Sequence, residues 1–102
     1  MNQSNHDHII LCKIQTIIKD AMRIEEKEIL PKARLFTDLG AESLDILDIR
    51  FRMQELFGIQ ISDGDVIHQL GKNLSIAQIE EKLTVNSLVE YVKQRLADKV
   101  SE

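Results

Sequence analysis

The sequence predicts an all-α fold: an antiparallel four-helix bundle with a long first loop and an extra short helix between the second and last helices. Three observations lead there. Apolar residues recur at helical spacing in separate stretches of the chain. Capping residues and glycines punctuate the ends of those stretches. No segment alternates apolar and polar residues strongly enough to compete as a strand.

The elements follow in order. Residues 1–7 are polar and expected to fray. The first helix is expected from about His8 to Met22, with Asp7 as its N-cap. Leu11, Ile14, Ile18 and Met22 mark one face, and Ile10 and Ile17 widen it. A long connection, roughly Glu26 to Ala41, carries Pro31 and ends near Gly40. Its apolar residues Leu30, Leu35, Phe36 and Leu39 are expected to pin it to the core. Loops of this length inside a compact domain are often functional.

The second helix is expected from Ser43 to Phe57, stopped by Gly58. Leu44, Leu47 and Phe51, with Ile46 or Met53 or both, are its expected inward residues. Beyond it, turns are expected at Asp63–Gly64 and at Gly71, with one or two helical turns over Asp65 to Leu70. Ser75 and Gln78 form a capping-box pattern that opens a further short helix, with Leu74 and Ile79 placed as a hydrophobic staple. The last helix is expected from Val85 to Asp98, capped by Thr84, with Val85, Leu88, Val89, Val92 and Leu96 inward. Residues 99–102 are expected to fray. One domain spans 1–102.

Composition narrows the function. Hydrophobic residues make up 43% of the 102-residue chain and charged residues 29%, the balance of a folded globule. The net charge of −4 argues against nucleic-acid binding, which needs a basic face to neutralise phosphates. It suits docking against basic protein surfaces instead. Apolar runs are too short to span a bilayer, and the start "MNQSNHDH" lacks a signal peptide's basic residues. A cytoplasmic location and a monomer are expected. The single cysteine, Cys12, excludes an internal disulfide.

The chemistry concentrates in "DLGAESLD", residues 38–45. A glycine turn delivers a serine to the head of an amphipathic helix. Ser43 thereby offers a hydroxyl where free backbone N–H groups can receive a phosphate oxygen. Glu42, Asp45 and Asp48 surround it with negative charge that the helix dipole favours. Those carboxylates can recruit the basic surface of a modifying enzyme, and a metal ion that it brings. Such a site is built to be modified by another protein rather than to catalyse alone.

The longer run "FTDLGAESLDILDIRFRMQELFGIQIS" resembles the acyl carrier proteins, whose motif D-L-G-x-D-S-L heads the second helix. Asp38, Leu39, Gly40, Ser43 and Leu44 match it, and the resemblance covers about residues 9–62 and 84–97. It implies that Ser43 carries 4′-phosphopantetheine through a phosphodiester, with the acyl chain as a thioester on the arm's thiol. It implies a carrier rather than an enzyme. The implied partners are a holo-acyl-carrier synthase and enzymes that transfer or modify acyl groups in fatty-acid, lipid or polyketide-type synthesis. Partner recognition then falls to Asp38, Glu42, Leu44, Asp45 and Asp48. The chain departs from the pattern at three places. Glu42 stands where the family has Asp, Arg50 and Arg52 sit on a usually acidic helix, and extra residues lie between Ile61 and Thr84. The insertion, around 63–83, is either a stabilising loop or an extra helix that enlarges the acyl pocket or marks a dedicated partner.

Other readings compete. A peptidyl or aryl carrier differs only in cargo, and an unmodified helical interaction module would keep the fold without the arm. His8 and Cys12, four apart, can share a helix face, but with His6 in a polar tail they make a poor metal site. Ser43 with His68 and an Asp lacks the strand–turn–helix elbow of a hydrolase.

Overall fold

The structure, a computed structural model, describes residues 2–61, 71 and 73–101, with side chains for 7–61, 71 and 73–98. Among these residues there are four helices: α1 (Asn2–Met22), α2 (Ser43–Phe57), α3 (Ile76–Lys82) and α4 (Val85–Ser101). One short 3₁₀ turn, Glu26–Glu28, interrupts the connection between α1 and α2.

α1 packs against both α2 and α4, and its apolar stripe is the centre of the core. Ile14 and Ile18 are fully buried, with Ile10 and Ile17 beside them. From α4 come Val85, Leu88, Val89, Tyr91 and Val92. Each fully buried Ile or Leu contributes about 1.5–3 kcal/mol of transfer free energy. Aliphatic residues do this work because the chain has no Trp.

The beginning of α1 corrects one expectation. The helix opens at Asn2, so Asp7 lies inside it and is not its N-cap. Asp7 instead receives the ammonium of Lys93 from α4, Oδ2 to Nζ at 3.2 Å. That contact holds the Lys93 pKa above its ordinary value. At its other end α1 stops at Arg23, whose φ of 58° is left-handed and whose N–H donates to the Lys19 carbonyl at 2.8 Å. An L-residue held there costs roughly 1–2 kcal/mol.

The connection is bound to the core at named points. Ile29 and Leu35 are fully buried, and Phe36 and Leu39 pack partly against them. Gln15 of α1 donates to the Ile29 carbonyl at 2.7 Å. The Leu35 N–H donates to the Leu83 carbonyl at 2.9 Å, and the Val85 N–H to the Ala33 carbonyl at 3.0 Å. Leu30, expected to help pin the loop, is exposed. Its carbonyl accepts from the Ala33 N–H in a tight turn, and its side chain points outward.

α2 has the expected bounds, and Gly58 ends it in the left-handed region at φ 65°. Its inward face matches the expectation at Met53 and Ile46 but not at Leu44, Leu47 and Phe51. Ile49 and Met53 are buried, at 2% and 1% exposure, with Ile46 and Phe57 partly buried around them. Leu44, Leu47 and Phe51 face solvent instead. α2 carries two apolar stripes, each at helical spacing, and periodicity alone does not choose between them. The stripe 46–49–53–57 is the one turned to the core, where α1 packs against α2.

α3 carries the expected capping box. The Gln78 N–H donates to Ser75 Oγ at 3.2 Å, and the Ser75 N–H to Gln78 Oε1 at 2.8 Å. Thr84 caps α4 as expected, its Oγ1 accepting from the Ser87 N–H at 3.1 Å. α4 continues to Ser101, past the expected end at Asp98. The expected turn at Asp63–Gly64, the helical turns over 65–70, and His68 lie outside the described residues.

Candidate functional site

The segment before Ser43 is a compact turn anchored at both ends. The N–H groups of Asp38 and Leu39 both donate to the Arg34 carbonyl, at 2.9 and 3.0 Å. The Asp38 carboxylate then folds back on Arg34. Its Oδ2 receives the Arg34 backbone N–H at 2.8 Å and the side-chain Nε at 3.1 Å. Gly40 turns the chain with φ 77°, which an L-residue adopts only under strain. Ala41 follows as a buried anchor, its N–H on the Leu35 carbonyl at 2.8 Å. Glu42 is extended, at φ −111° and ψ 172°, and α2 starts at Ser43.

This order of residues decides what is displayed. With Ala41 held inside, Glu42, Ser43 and Leu44 turn outward, and all three are exposed. Ser43 is the first residue of α2, where backbone N–H groups lack intrahelical acceptors. Its hydroxyl therefore stands in solvent at the positive end of a helix dipole.

The flanking carboxylates have structural duties. Asp45 Oδ2 accepts the Glu42 N–H at 2.9 Å, as a capping residue in the third helical position does. Asp48 pairs with Arg52 one turn later, Oδ1 to Nε at 3.0 Å. Asp38 is the most committed. The Arg34 guanidinium and backbone amide, by donating to it, hold its carboxyl below the usual carboxylate range. Arg34 also reaches both carboxylate oxygens of Glu81 on α3. Asp38, expected to recognise partners, is exposed and takes part in an ion-pair network with Arg34, which also holds Glu81.

The exposed stripe of α2 begins beside Ser43. Leu44 is 77% exposed, Phe51 53% and Leu47 40%. Glu42 and Asp45 lie at its head, and the Asp48–Arg52 pair lies along one edge. On the opposite edge the Arg50 guanidinium lies 5.6 Å from the Phe51 ring centre, within cation–π range. Three features were missed in the sequence: the buried anchor Ala41, and Arg34 and Glu81. The i, i+4 spacing of Asp48 and Arg52 was the legible signal for their pair.

His8 Nε2 and Cys12 Sγ are 3.5 Å apart on α1, so the two do share a face. Among the described residues no group of three or more metal-ligating side chains assembles. Among those residues, too, no helix is long and apolar enough to cross a membrane.

Residues 12–69 match the family model described as "Phosphopantetheine attachment site". The fold and the family model together place the chain in the class of phosphopantetheine carrier domains. The chain is 37% identical over 93 residues to an acyl carrier protein of Karelsulcia muelleri, covering 90% of this chain and 95% of the relative. It is 29% identical over 87 residues to one of Thermotoga maritima, covering 85% and 91%. It is 40% identical over 70 residues to one of Nitratidesulfovibrio vulgaris, covering 69% and 92%. The chain belongs to the acyl carrier protein family.

Membership carries the family's function. The protein is a carrier for fatty-acid synthesis and not an enzyme, and its cofactor is 4′-phosphopantetheine. Its partners in general are a synthase and acyl-handling enzymes. The residues at the head of α2 fit that cofactor. The hydroxyl is uncovered, and the positive end of the α2 dipole favours a phosphate beside it. The phosphodiester would sit outside the bundle, so Glu42 and Asp45 meet it in water, where like charges repel weakly.

Proposed function

We propose that Ser43 is the attachment point of 4′-phosphopantetheine, and that Leu44, Leu47 and Phe51 form the face on which partner enzymes dock. When bound, the group supplies a thiol that holds the acyl chain as a thioester. The chain's own residues present and orient it. Gly40 and Ala41 aim the serine outward, and the head of α2 favours the phosphate. Glu42 and Asp45 attract a basic enzyme surface, while the stripe offers apolar area to bury. Tethering then gives each docked enzyme a high effective concentration of substrate. Asp48 contributes to the rim as half of an ion pair. Asp38 serves the turn rather than the partner.

The observation that carries this reading is the exposure of Ser43 at the first position of α2, directly after a core-anchored glycine turn. A contiguous apolar stripe on a monomer also marks an interaction surface. The acyl version is favoured over a peptidyl or aryl carrier because all three relatives are acyl carrier proteins. We place the protein in the cytoplasm, as a monomer.

Incubation of the apo protein with a holo-synthase and coenzyme A tests the reading. Intact-mass spectrometry is expected to show the gain of one phosphopantetheine, absent in Ser43→Ala. No gain with several synthases would favour an unmodified interaction module.

A further inference from the structure

We propose that Arg52 is a specificity-determining residue of the docking face, favouring partner enzymes that set a carboxylate, not another basic group, against this part of the rim. The inference rests on the reading of Leu44, Leu47 and Phe51 as the docking stripe.

The charges around the stripe are unevenly placed. At its head stand Glu42 and Asp45, with no cation on α2 before Arg50. One turn on, Asp48 is already paired with Arg52 through a 3.0 Å contact, and both side chains are almost half exposed. Arg52 Nε serves that contact. A guanidinium has further N–H groups at its outer end, in a fork that matches a second carboxylate. On the other edge Arg50 lies against the Phe51 ring. The Phe51 half of the stripe is thus edged by a guanidinium on each side, and Glu55 is the next acidic residue, one turn beyond.

The two halves are read separately. Asp45 and Arg52 are seven helical positions apart, about 10 Å along the axis at a rise of about 1.5 Å per residue. That exceeds the Debye length of about 8 Å at physiological ionic strength. The acid at the head therefore acts only weakly on Arg52, whose near carboxylate is Asp48. A uniformly basic docking patch gains at Glu42 and Asp45 and gains nothing at the Asp48–Arg52 pair, where Arg52 opposes what Asp48 attracts. A patch that is basic at one end and acidic at the other gains at both. Like-charge contacts at a rim act on partner choice and encounter rate more than on affinity.

The experiment uses the apo protein, coenzyme A and a holo-synthase with a basic docking face. Priming kinetics are measured for wild type, Arg52→Gln and Arg52→Glu at low and high salt. They are then repeated with holo-synthase variants in which each docking Lys or Arg is changed singly to Glu. With the unmodified enzyme, Arg52→Glu is expected to lower KM about two- to fivefold, the size of an exposed charge pair, with Arg52→Gln between. The gap should close at high salt. With one of the enzyme variants the order should reverse, wild type becoming the better substrate. Equal KM values for the three carriers at low salt would overturn the proposal. So would identical responses of wild type and Arg52→Glu to every enzyme variant. Absence of priming in every carrier, wild type included, would overturn the attachment reading itself and this inference with it.

Discussion

Arg34 in the connection and Glu81 near the end of α3 lie 47 positions apart in sequence and join side chains, with Nη1 2.9 Å from Oε2. The same guanidinium holds Asp38, three residues before Ala41 and its exposed neighbours. Thr37 adds a bond to the Glu80 carbonyl at 3.3 Å. The turn that presents Ser43 and the short helix α3 are therefore fastened to each other.

The Asp38 carboxyl, held low mainly by hydrogen bonds from Arg34, should titrate below an ordinary aspartate. Its folded pKa is depressed relative to the unfolded chain. The pair therefore stabilises the fold above the unfolded value, near 4, and this is lost as pH falls through the folded one. Carboxyl-carbon NMR titration is expected to show a low midpoint for Asp38 that rises in Arg34→Gln. An unchanged midpoint would show that the network does not persist in solution.

The two apolar stripes of α2 should respond oppositely to truncation. Ile49→Ala removes a buried side chain and should cost about 2–5 kcal/mol of unfolding free energy. Leu44→Ala removes a solvent-facing one and should stay within about 0.5 kcal/mol. Urea denaturation of both variants checks this. Comparable losses would mean that Leu44 is packed.

Gly40→Ala isolates the backbone cost of the turn. A Cβ at Gly40 would meet no atom within 4 Å, so no clash contributes. At φ 77° the strain alone should lower stability by roughly 1–2 kcal/mol. Hydrogen exchange should quicken at the Ala41 amide, which bonds to Leu35. Exchange rates equal to wild type would contradict the role given to this turn.

Much of this was legible in the sequence because it depends on local chemistry. Ser75 with Gln78, Thr84, Gly58 and the spacing of Ile14 and Ile18 announce their elements directly. So does the run from Asp38 to Asp45. The inward face of α2 was legible only in part. Leu47 and Ile49 are equally apolar, and only the positions of α1 and the buried connection decide which one is covered. The ion-pair network around Asp38 was not legible for a similar reason. Its partner Arg34 is close in sequence, but the guanidinium is aimed by Glu81, a contact no local pattern encodes. The start of α1 lies earlier than expected because its first residues are polar and carry no apolar periodicity to mark a helix.

The most direct test of the central claim is to locate the added mass on the primed protein. Cleavage after Arg34 and Arg50 releases residues 35–50, whose only hydroxyls are Thr37 and Ser43. Fragment ions are expected to carry the phosphopantetheine on Ser43 alone. Its appearance on Thr37, or on any peptide outside 35–50, would contradict the account.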